Sequence, residues 1–428
     1  MVEFLPLRGL HYSPEYARPT VYAPPYDVIS SDQQQQYLAG SPYSVVRLIL
    51  GPHPDHQGWY AEAAATLRAW ALQGVLTRDP TPRFYGYQQH FALPGGPMRV
   101  RTGCIGRMRL CDWREGVYRH EHTRTAPRLD RLRLTRATRM NLSPIFGLYR
   151  DPGRDLARWL EPPARPVLDF QDDEGVRQIL WPIVDVDAIA GIVRGMSSRE
   201  VVIADGHHRY ETALAYQAER RAAEGNPSQA RPYDYVLMYL TATEASGLCI
   251  LPSHRVVSGE PALQGERLLQ ALRRDFDVLP LDGSRSLSQA IAEAARDTVA
   301  IGVSLRGAGS WVLRLKGMKV AHRATGGCDS NDLAELDVCV LQNLILGPHL
   351  GISPEVLATT ERVSYTIHEE VACARVQRGE AEAAFILNPT TTGQVWQAVQ
   401  RGVTLPQKST YFHPKPLTGL VFNPLDEE

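Results

Sequence analysis

Hydrophobic and polar residues alternate along this chain in short segments that are typical of an α/β protein. Short apolar runs, several of them β-branched, predict strands at residues 45–50, 201–204, 235–240, 248–251 and 384–387. Alanine- and leucine-rich stretches without proline predict helices at residues 60–73, 187–194, 212–221 and 333–346. Strands and helices therefore follow one another from the first hundred residues to the last.

Two local signals sharpen this pattern. Gly74 follows the apolar helix 60–73 and is the residue type expected just beyond a helix C-terminus. Segments 84–91 and 98–105 flank the breaker Pro94-Gly95-Gly96-Pro97, which predicts a β-hairpin.

The fold class predicted from this pattern is α/β, mixed α+β, with a central mixed sheet and a smaller inserted α/β unit. At 428 residues the chain is long enough for two or three domains of about 150 residues. We expect a main α/β domain at residues 1–255 and a smaller α/β unit at 256–330. Residues 331–428 are expected to pack back on the main domain. In the smaller unit, segments 268–276 and 287–295 predict helices, and 299–305 and 311–315 predict strands.

Charge and composition exclude several classes of function. The formal net charge is −1 and the apolar fraction is ordinary, so no nucleic-acid or membrane partner is expected. No apolar run approaches the ~18 residues of a membrane span, and the N-terminus lacks the pattern of a signal peptide. The six cysteines are scattered without a CxxC pair, which predicts reduced thiols and a cytoplasmic protein.

The strongest candidate for chemistry is Asp205-Gly206-His207-His208-Arg209, which joins the strand 201–204 to a helix. A helix N-terminus attracts anions, Gly206 allows the backbone close to a ligand, and Arg209 can donate two hydrogen bonds to a phosphate. His207 or His208 can transfer a proton near neutral pH or accept a phosphoryl group. Asp205 or Glu211 can orient a hydroxyl nucleophile or a Mg²⁺. The alternative is a capped helix whose histidines hydrogen-bond to a neighbouring loop.

A basic segment begins at Arg119 and continues through six further arginines, Arg124 to Arg139. Interleaved leucines predict an amphipathic helix, in which Arg128 and Arg131 can neutralise a polyphosphate. A solvated charged face explains the same pattern equally well. Just before this helix, His120, Glu121 and His122 are candidates for orienting the substrate. His120 and His122 are also candidate metal ligands, although His-x-His without a third ligand is a weak metal signal.

Both ends of the chain contribute further candidates. Asp27 lies in the proline-rich segment 23–30, where it can orient a substrate amine or a metal, or stabilise a turn. Ser30 or Ser31 can cap a short helix at 33–37. In the C-terminal segment 405–415, Lys408, Ser409 and Thr410 are candidate hydrogen-bond donors to a phosphate, and a solvated tail is the alternative. The chain contains neither a P-loop nor a GxGxxG sequence.

Several blocks together resemble a prokaryotic family catalogued as a conserved domain of unknown function, number one thousand and fifteen. The resemblance rests on these blocks: Leu5-Pro6-Leu7-Arg8-Gly9-Leu10, Ala23-Pro24-Pro25-Tyr26-Asp27-Val28-Ile29, Asn141-Leu142-Ser143-Pro144-Ile145-Phe146, Ala204-Asp205-Gly206-His207-His208-Arg209-Tyr210-Glu211-Thr212-Ala213 and Pro406-Gln407-Lys408-Ser409-Thr410-Tyr411-Phe412. Members of the family are often encoded beside serine-biosynthesis enzymes. The resemblance therefore implies serine or phosphoserine as substrate.

A shorter similarity is to the ParB and sulfiredoxin-like superfamily, which includes the free serine kinases. There a Gly-x-His-Arg or Gly-x-x-Arg turn at a helix start holds nucleotide phosphates. Gly206, His208 and Arg209 match that turn, and Glu211 follows it. No ParB DNA-binding segment is evident.

These observations predict a phosphoryl-transfer enzyme acting on a small phosphorylated metabolite, with O-phosphoserine or serine as the specific candidate. It would be a phosphatase or a reversible kinase, with ATP or ADP as the candidate nucleotide and Mg²⁺ as the candidate cofactor. A non-catalytic nucleotide-binding switch is one alternative. A metal-dependent hydrolase using His120, His122, His207 and His208 is another. Oligomeric state, phosphate donor, reaction direction and the spatial convergence of the motifs do not follow from the sequence.

Overall fold

The structure is a computed structural model that describes residues 2–51, 58–121, 125–260, 263–283, 285–317, 320 and 336–426. The side chains of residues 125–127 and 358 are not described. The chain forms two compact units. Unit 1 comprises Met1–Arg119, Thr123–Cys249 and Pro414–Glu428, and unit 2 comprises His120–His122 and Ile250–His413. The three-part division predicted from the sequence stays a prediction.

Helices and strands are numbered in chain order. The α-helices are α1 Ser31–Gly40, α2 Val46–Ile49, α3 Trp59–Leu72, α4 Thr125–Thr138, α5 Val186–Ser197, α6 His207–Ala223, α7 Gly265–Leu272, α8 Leu287–Ala294, α9 Asp337–Val340, α10 Gly347–Leu350, α11 Pro354–Thr359, α12 Glu369–Gln377 and α13 Thr392–Gln400. The strands are β1 Phe4–Leu5, β2 Leu10–Tyr12, β3 Leu76–Arg78, β4 Phe84–Ala92, β5 Met98–Arg109, β6 Val117–Tyr118, β7 Met140–Asn141, β8 Ile145–Tyr149, β9 Leu168–Gln171, β10 Arg177–Ile183, β11 Val201–Asp205, β12 Tyr235–Ala242, β13 Cys249–Leu251, β14 His254–Val257, β15 Phe276–Pro280, β16 Ala300–Leu305, β17 Gly309–Leu315, β18 Val363–Thr366, β19 Ala383–Ile386, β20 Tyr411–His413 and β21 Asn423–Pro424.

Unit 1 is built on a mixed sheet, which confirms the predicted α/β class with a central mixed sheet. In the described residues it has nine strands, in the order β6-β11-β8-β12-β5-β4-β10-β9, with β1 paired to β5. The pairs β6/β11 and β8/β12 are parallel, and the other pairs are antiparallel. Buried residues of these strands pack with Ile192 of α5 and Tyr210 of α6 in one hydrophobic cluster. The sheet thereby fixes the position of α6, which follows β11 directly.

Several predicted elements of unit 1 are confirmed. The hairpin β4/β5 forms around Gly95, whose φ of +70° is a conformation that glycine adopts without strain. Helix α3 is followed by Gly74 at a φ of +74°, as expected of a residue beyond a helix C-terminus. Ser30 caps α1 in a capping box with Gln33.

The predicted strand at residues 45–50 is wrong. Residues 46–49 form the short helix α2, with Val46, Leu48 and Ile49 buried in the core. A short apolar run that is buried on several sides has the same composition in a strand and in a helix. The Ser44 side chain accepts a hydrogen bond from the Val46 amide and helps the backbone to turn at this point.

Unit 2 contains an antiparallel sheet of six strands within the described residues, in the order β15-β17-β16-β19-β14-β18. The predicted strands 299–305 and 311–315 and the predicted helix 287–295 correspond to β16, β17 and α8. The helix predicted at 268–276 ends earlier, at Leu272, and the buried Phe276 begins β15 opposite Leu315. A polar break at Arg273-Arg274-Asp275 separates the two elements.

The apolar helix predicted at residues 333–346 is helical from Asp337 onward, with π-helical hydrogen bonding at Leu341–Leu346. Residues 333–335 lie outside the described residues. No helix in the described part of the chain combines the length and the apolar character that crossing a membrane requires.

Unit 2 has a buried histidine that should make its stability depend on pH. The Nδ1 atom of His254 accepts a hydrogen bond from the Leu387 amide, and burial lowers the pKa of this histidine to about 4. The unfolded chain takes up a proton at this histidine near the ordinary pKa of 6.5, whereas the folded chain does so only near pH 4. The contribution of the neutral histidine to the free energy of unfolding is therefore complete above pH 6.5 and is lost as the pH falls toward 4.

We expect the free energy of unfolding to drop by about 3 kcal/mol between pH 6.5 and the pKa of about 4. Chemical denaturation across this range measures the drop, with hydrogen exchange of the Leu387 amide as a local probe. His254→Gln should flatten the dependence, whereas His368→Gln, which alters a largely exposed histidine of the same unit, should keep it. An equal slope in both variants would contradict the assignment.

Candidate functional site

The sequence Asp205-Gly206-His207-His208-Arg209 forms the junction between β11 and α6. β11 ends at Asp205 and α6 begins at His207, so both histidines belong to the first turn of the helix and only Gly206 separates the elements. Gly206 has a φ of +98°, and no side chain caps the helix at this residue. The first intrahelical bond runs from the Tyr210 amide to the Gly206 carbonyl. The positive end of the helix dipole therefore lies at the junction, which favours an anion there.

Two cations and two carboxylates meet at this junction. The Lys415 ammonium donates to Asp205 Oδ1 at 2.6 Å and to Asp27 Oδ2 at 3.2 Å. The Arg209 guanidinium donates to Asp205 Oδ2 at 2.6 Å. Asp27, Asp205, Arg209 and Lys415 are called the Asp205–Lys415 cluster below. The Lys415 side chain is only 6% exposed and that of Asp27 is 29% exposed, so the cluster is closed around the lysine and more open at Asp27.

The backbone on either side of Lys415 is held by the central sheet. Arg101 of β5 is fully buried and donates to the Pro414 carbonyl, and the side-chain Nε2 of Gln89 in β4 donates to the Lys415 carbonyl at 3.2 Å. The Arg101 guanidinium also lies 4.6 Å from the centre of the Phe146 ring, and burial lowers its pKa. These contacts hold the backbone from which the Lys415 side chain reaches Asp205 and Asp27.

Arg209 connects the cluster to a small cavity. Its Nη1 donates to the Pro144 carbonyl at 2.5 Å, which holds the guanidinium over the Gly206 turn. A cavity of about 50 Å³ is lined by Arg209, Tyr26 and Arg131 together with residues of α4 and β8. This volume suits one or two waters rather than a metabolite. Burial raises the pKa of Tyr26 to about 12, so its hydroxyl stays protonated in the physiological range.

The other predicted residues of unit 1 are placed around α6 with varied partners. His207 is buried and His208 is partly exposed, so His208 is the more accessible of the two. Glu211 forms ion pairs with Arg119 at 3.3 Å and with Arg128 at 4.0 Å.

Arg131 uses its donors on protein groups. Its guanidinium pairs with Asp130, donates to the Ile49 carbonyl at 2.7 Å and lies over the Tyr26 ring at 4.1 Å. These contacts hold α4 to α2, and phosphate binding by Arg128 or Arg131 stays a prediction.

A second cluster forms in unit 2 from predicted residues that are far apart in the sequence. Nε2 of the buried His120 lies 2.8 Å from the Thr410 hydroxyl, and the Glu121 carboxylate accepts from the Ser409 amide at 3.2 Å. The structure therefore brings the His120-Glu121 pair to the Ser409-Thr410 pair. Their predicted roles in orienting substrate and binding phosphate stay predictions.

The exposed Lys408 lies at the turn of this second cluster. It has a φ of +57°, an uncommon conformation for a residue other than glycine. The buried Arg255 guanidinium donates to the Lys408 carbonyl at 3.1 Å and stabilises the turn from the inside. Residues 405–413 are thus an ordered part of unit 2 and not a solvated tail.

The described residues do not form a metal site. Among them, no group of three or more His, Cys, Asp or Glu side chains is arranged to hold a metal ion, and His122 lies outside them. Mg²⁺ is often held by one or two carboxylates and substrate phosphates, for which Asp27 and Asp205 are the nearest candidates. The Lys415 ammonium already lies between those carboxylates. The residues therefore do not fit a resident Mg²⁺.

Lys415 was part of the predicted donor segment but was not assigned to the site. One signal in the sequence could have singled it out. Lysine and arginine together number 46, yet lysine occurs only at positions 316, 319, 408 and 415. Where arginine supplies almost every cation, a lysine between two prolines marks a position that requires a compact ammonium rather than a planar guanidinium.

Residues 4–339 match the family described as "Protein of unknown function (DUF1015)". The chain belongs to this family. The resemblance seen in the sequence blocks is thereby confirmed. DUF1015 covers the β11–α6 junction and most of unit 1, but the match ends before Lys408 and Lys415. No curated protein matches the chain.

Comparison with solved structures gives distant similarities. A conserved hypothetical protein from Pyrococcus furiosus is 12% identical, with a TM-score of 0.34, covering 70% of this chain and 87% of that chain. Free serine kinase in complex with AMP is 12% identical, with a TM-score of 0.34, covering 70% and 84%. SbnI with a C-terminal truncation, from Staphylococcus aureus, is 11% identical, with a TM-score of 0.34, covering 73% and 85%. Membership of the family therefore rests on the sequence match.

Proposed function

We propose that this DUF1015 protein is a phosphoryl-transfer enzyme whose phosphate site is the N-terminus of α6. One observation carries the proposal. Lys415 and Arg209, two largely buried cations, meet at Asp205 beside a helix N-terminus whose N-cap residue is Gly206. Phosphoryl transfer requires positive groups placed in advance around the charge that moves, and positioning supplies most of the rate.

The charge balance of the cluster favours an amino-acid substrate. The two cations Arg209 and Lys415 pair with the two carboxylates Asp205 and Asp27. A bound phosphate therefore adds negative charge to the cluster, and a cation on the ligand itself would partly offset that charge. The ammonium group of serine or O-phosphoserine meets this need, and Asp27 is the more open carboxylate for it. Serine or O-phosphoserine is also the substrate that the resemblance to the family of unknown function implies.

The histidines supply proton transfer in this proposal. His208 is the more accessible histidine of the first turn and takes the proton of the attacking hydroxyl, either of serine or of water. Asp205 holds the two cations at the phosphate and keeps them oriented. With serine, the phosphoryl group comes from ATP or ADP as the Mg²⁺ complex. With O-phosphoserine and water, the products are serine and inorganic phosphate.

The test is a phosphate-release and nucleotide-conversion assay on the purified full chain. It uses O-phosphoserine alone, O-phosphoserine with ADP, and serine with ATP, ADP or pyrophosphate, each with and without Mg²⁺. Phosphate released from O-phosphoserine alone identifies a phosphatase, and conversion that needs a nucleotide identifies a kinase. Nucleotide binding without any product would replace this proposal by the non-catalytic switch. Activity that a chelator abolishes with O-phosphoserine alone would favour the metal-dependent hydrolase.

Arg209→Ala provides the variant for the same assay. This variant removes a hydrogen-bond donor to the phosphate and a partner of Asp205. We expect turnover to fall by about 10²–10³. Arg220→Ala, in the last turn of the same helix, removes an arginine that pairs with Glu224 and should leave turnover unchanged. Equal turnover in both folded variants would contradict the phosphate site.

A further inference from the structure

Unit 2 contains a cavity of about 450 Å³ where α8 ends and where α9 and α13 begin. Its volume is within the range of about 300–1,000 Å³ that small-molecule sites occupy. The lining residues in the described part of the chain all belong to unit 2, and none of them belongs to the Asp205–Lys415 cluster or to the His120–Thr410 contact. The cavity is therefore a separate feature that needs its own explanation.

One wall of the cavity presents a fixed carboxylate. Oδ2 of Asp337 accepts both the main-chain and the side-chain N–H of Asn388, each at 2.9 Å. Since Asn388 also donates to the Ala300 carbonyl at 3.1 Å, its own side-chain oxygen remains as an acceptor. Burial raises the pKa of Asp337 to about 6, so it is a carboxylate at neutral pH. Among the described residues no cation pairs with it. This wall offers oxygen acceptors and a negative charge to a ligand.

Another part of the lining is positive. Arg296 is exposed at the cavity and forms no ion pair with a described residue. Thr391 and Gln394 also line the cavity, but their main-chain N–H groups already donate within the capping box of α13, so Arg296 is the positive group of this part of the lining. A guanidinium can donate two hydrogen bonds to a carboxylate.

We propose that this cavity binds a free α-amino acid, with its ammonium on Asp337 and Asn388 and its carboxylate on Arg296. The opposite charges of the lining explain the choice of ligand class. A simple anion would meet Asp337 and Asp297, and a simple cation would meet Arg296, whereas a zwitterion satisfies both ends. Val299 and Leu336 supply apolar wall for the side chain of the ligand. This binding requires no phosphoryl transfer in unit 1.

The first experiment is calorimetric titration of the full chain with each of the proteinogenic amino acids. We expect one or a few to bind. The N-acetyl and the carboxamide derivatives of the tightest binder each lose one charge, and each should bind at least about ten-fold more weakly. Absence of binding by every amino acid, or equal binding by the derivatives, would overturn the proposal.

Variants locate the binding. Arg296→Gln and Asp337→Asn should each weaken the amino acid by about ten-fold or more. Arg267→Gln, which changes an exposed arginine of α7 outside the cavity, should bind as the unaltered chain does. Because Arg296 is exposed, its variant is expected to fold even if Asp337→Asn does not. If Arg296→Gln binds the amino acid as tightly as Arg267→Gln does, the amino acid binds outside this cavity.

This outcome is independent of the phosphoryl-transfer proposal. Arg209→Ala disables the phosphate site in unit 1 and should keep the amino-acid affinity of the cavity. If Arg209→Ala instead removes the binding, the titration reports the substrate of unit 1 and the cavity proposal fails.

Discussion

Replacing Lys415 by methionine is expected to abolish turnover and to lower the free energy of unfolding by about 3–5 kcal/mol. Methionine keeps most of the volume of the side chain but removes the charge that neutralises Asp205 and Asp27. Asp205 then keeps Arg209 but loses the ammonium that it shares with Asp27, and the proposed phosphate site loses one of its two positive groups. Chemical denaturation and the phosphate-transfer assay measure the two effects separately.

A second substitution separates the stability effect from the functional one. Lys415→Met combined with Asp205→Asn removes one carboxylate with the cation, so part of the stability should return while turnover stays absent. Lys316→Met is the matched control, because Lys316 is exposed and donates to the Arg273 carbonyl rather than to a carboxylate. Its stability should change by no more than about 0.5 kcal/mol. A single variant Lys415→Met as stable as this control would show that the cluster does not hold the fold.

Lys415→Arg tests the need for an ammonium. The charge is kept, but a planar guanidinium is too large for the position between Asp205 and Asp27. We expect the chain to fold with turnover reduced at least about ten-fold, measured in the same assay. Full activity in this variant would mean that charge alone matters at position 415.

Gly206→Ala is the second change with a large expected effect. The backbone at this residue has a φ of +98°, which costs a residue with a Cβ roughly 1–2 kcal/mol. An added Cβ would also lie 2.9 Å from Nε and Nη2 of Arg209, so the guanidinium must move away from the turn. Arg209 then loses its position on Asp205. We expect turnover to fall by about 10², which is more than the loss of stability alone would cause.

The control for this variant is at the other end of the same helix. Gly225 has a φ of +72°, and no atom of the described residues lies within 4 Å of a Cβ added there. Gly225→Ala should therefore show a similar loss of unfolding free energy without a loss of turnover. If both variants lose turnover equally, backbone strain rather than the displaced guanidinium is responsible.

The sequence alone determined the local structure on which the site is built. The apolar run of β11, the glycine after Asp205 and the helix-forming composition of α6 act over neighbouring residues, so their strand–turn–helix order was predictable. The hairpin β4/β5 was predictable for the same reason, because the breaker Pro94-Gly95-Gly96-Pro97 sets its own turn. Even here the start of α6 was placed too late, since helix boundaries depend on the first hydrogen bond and not on composition.

Only the tertiary structure decided which charges meet. Lys415 is 210 residues from Asp205 and 388 residues from Asp27 in the sequence, and no local pattern relates them. Their contact depends on how β4 and β5 hold the backbone at Pro414 and Lys415. The helical conformation of α2, predicted as a strand, was likewise decided by burial on several sides.

The arginines of α4 also show that the sequence does not determine which charged groups pair. Spacing along a helix predicts which residues share a face, but not which partner each one finds. Arg131 points to the Ile49 carbonyl and the Tyr26 ring, and Arg128 to Glu211. Propensity and turn chemistry act within a few residues, whereas ion pairs form wherever the completed sheet brings opposite charges together. For this reason the sequence determined the β11–α6 junction, and the fold determined the cations that surround it.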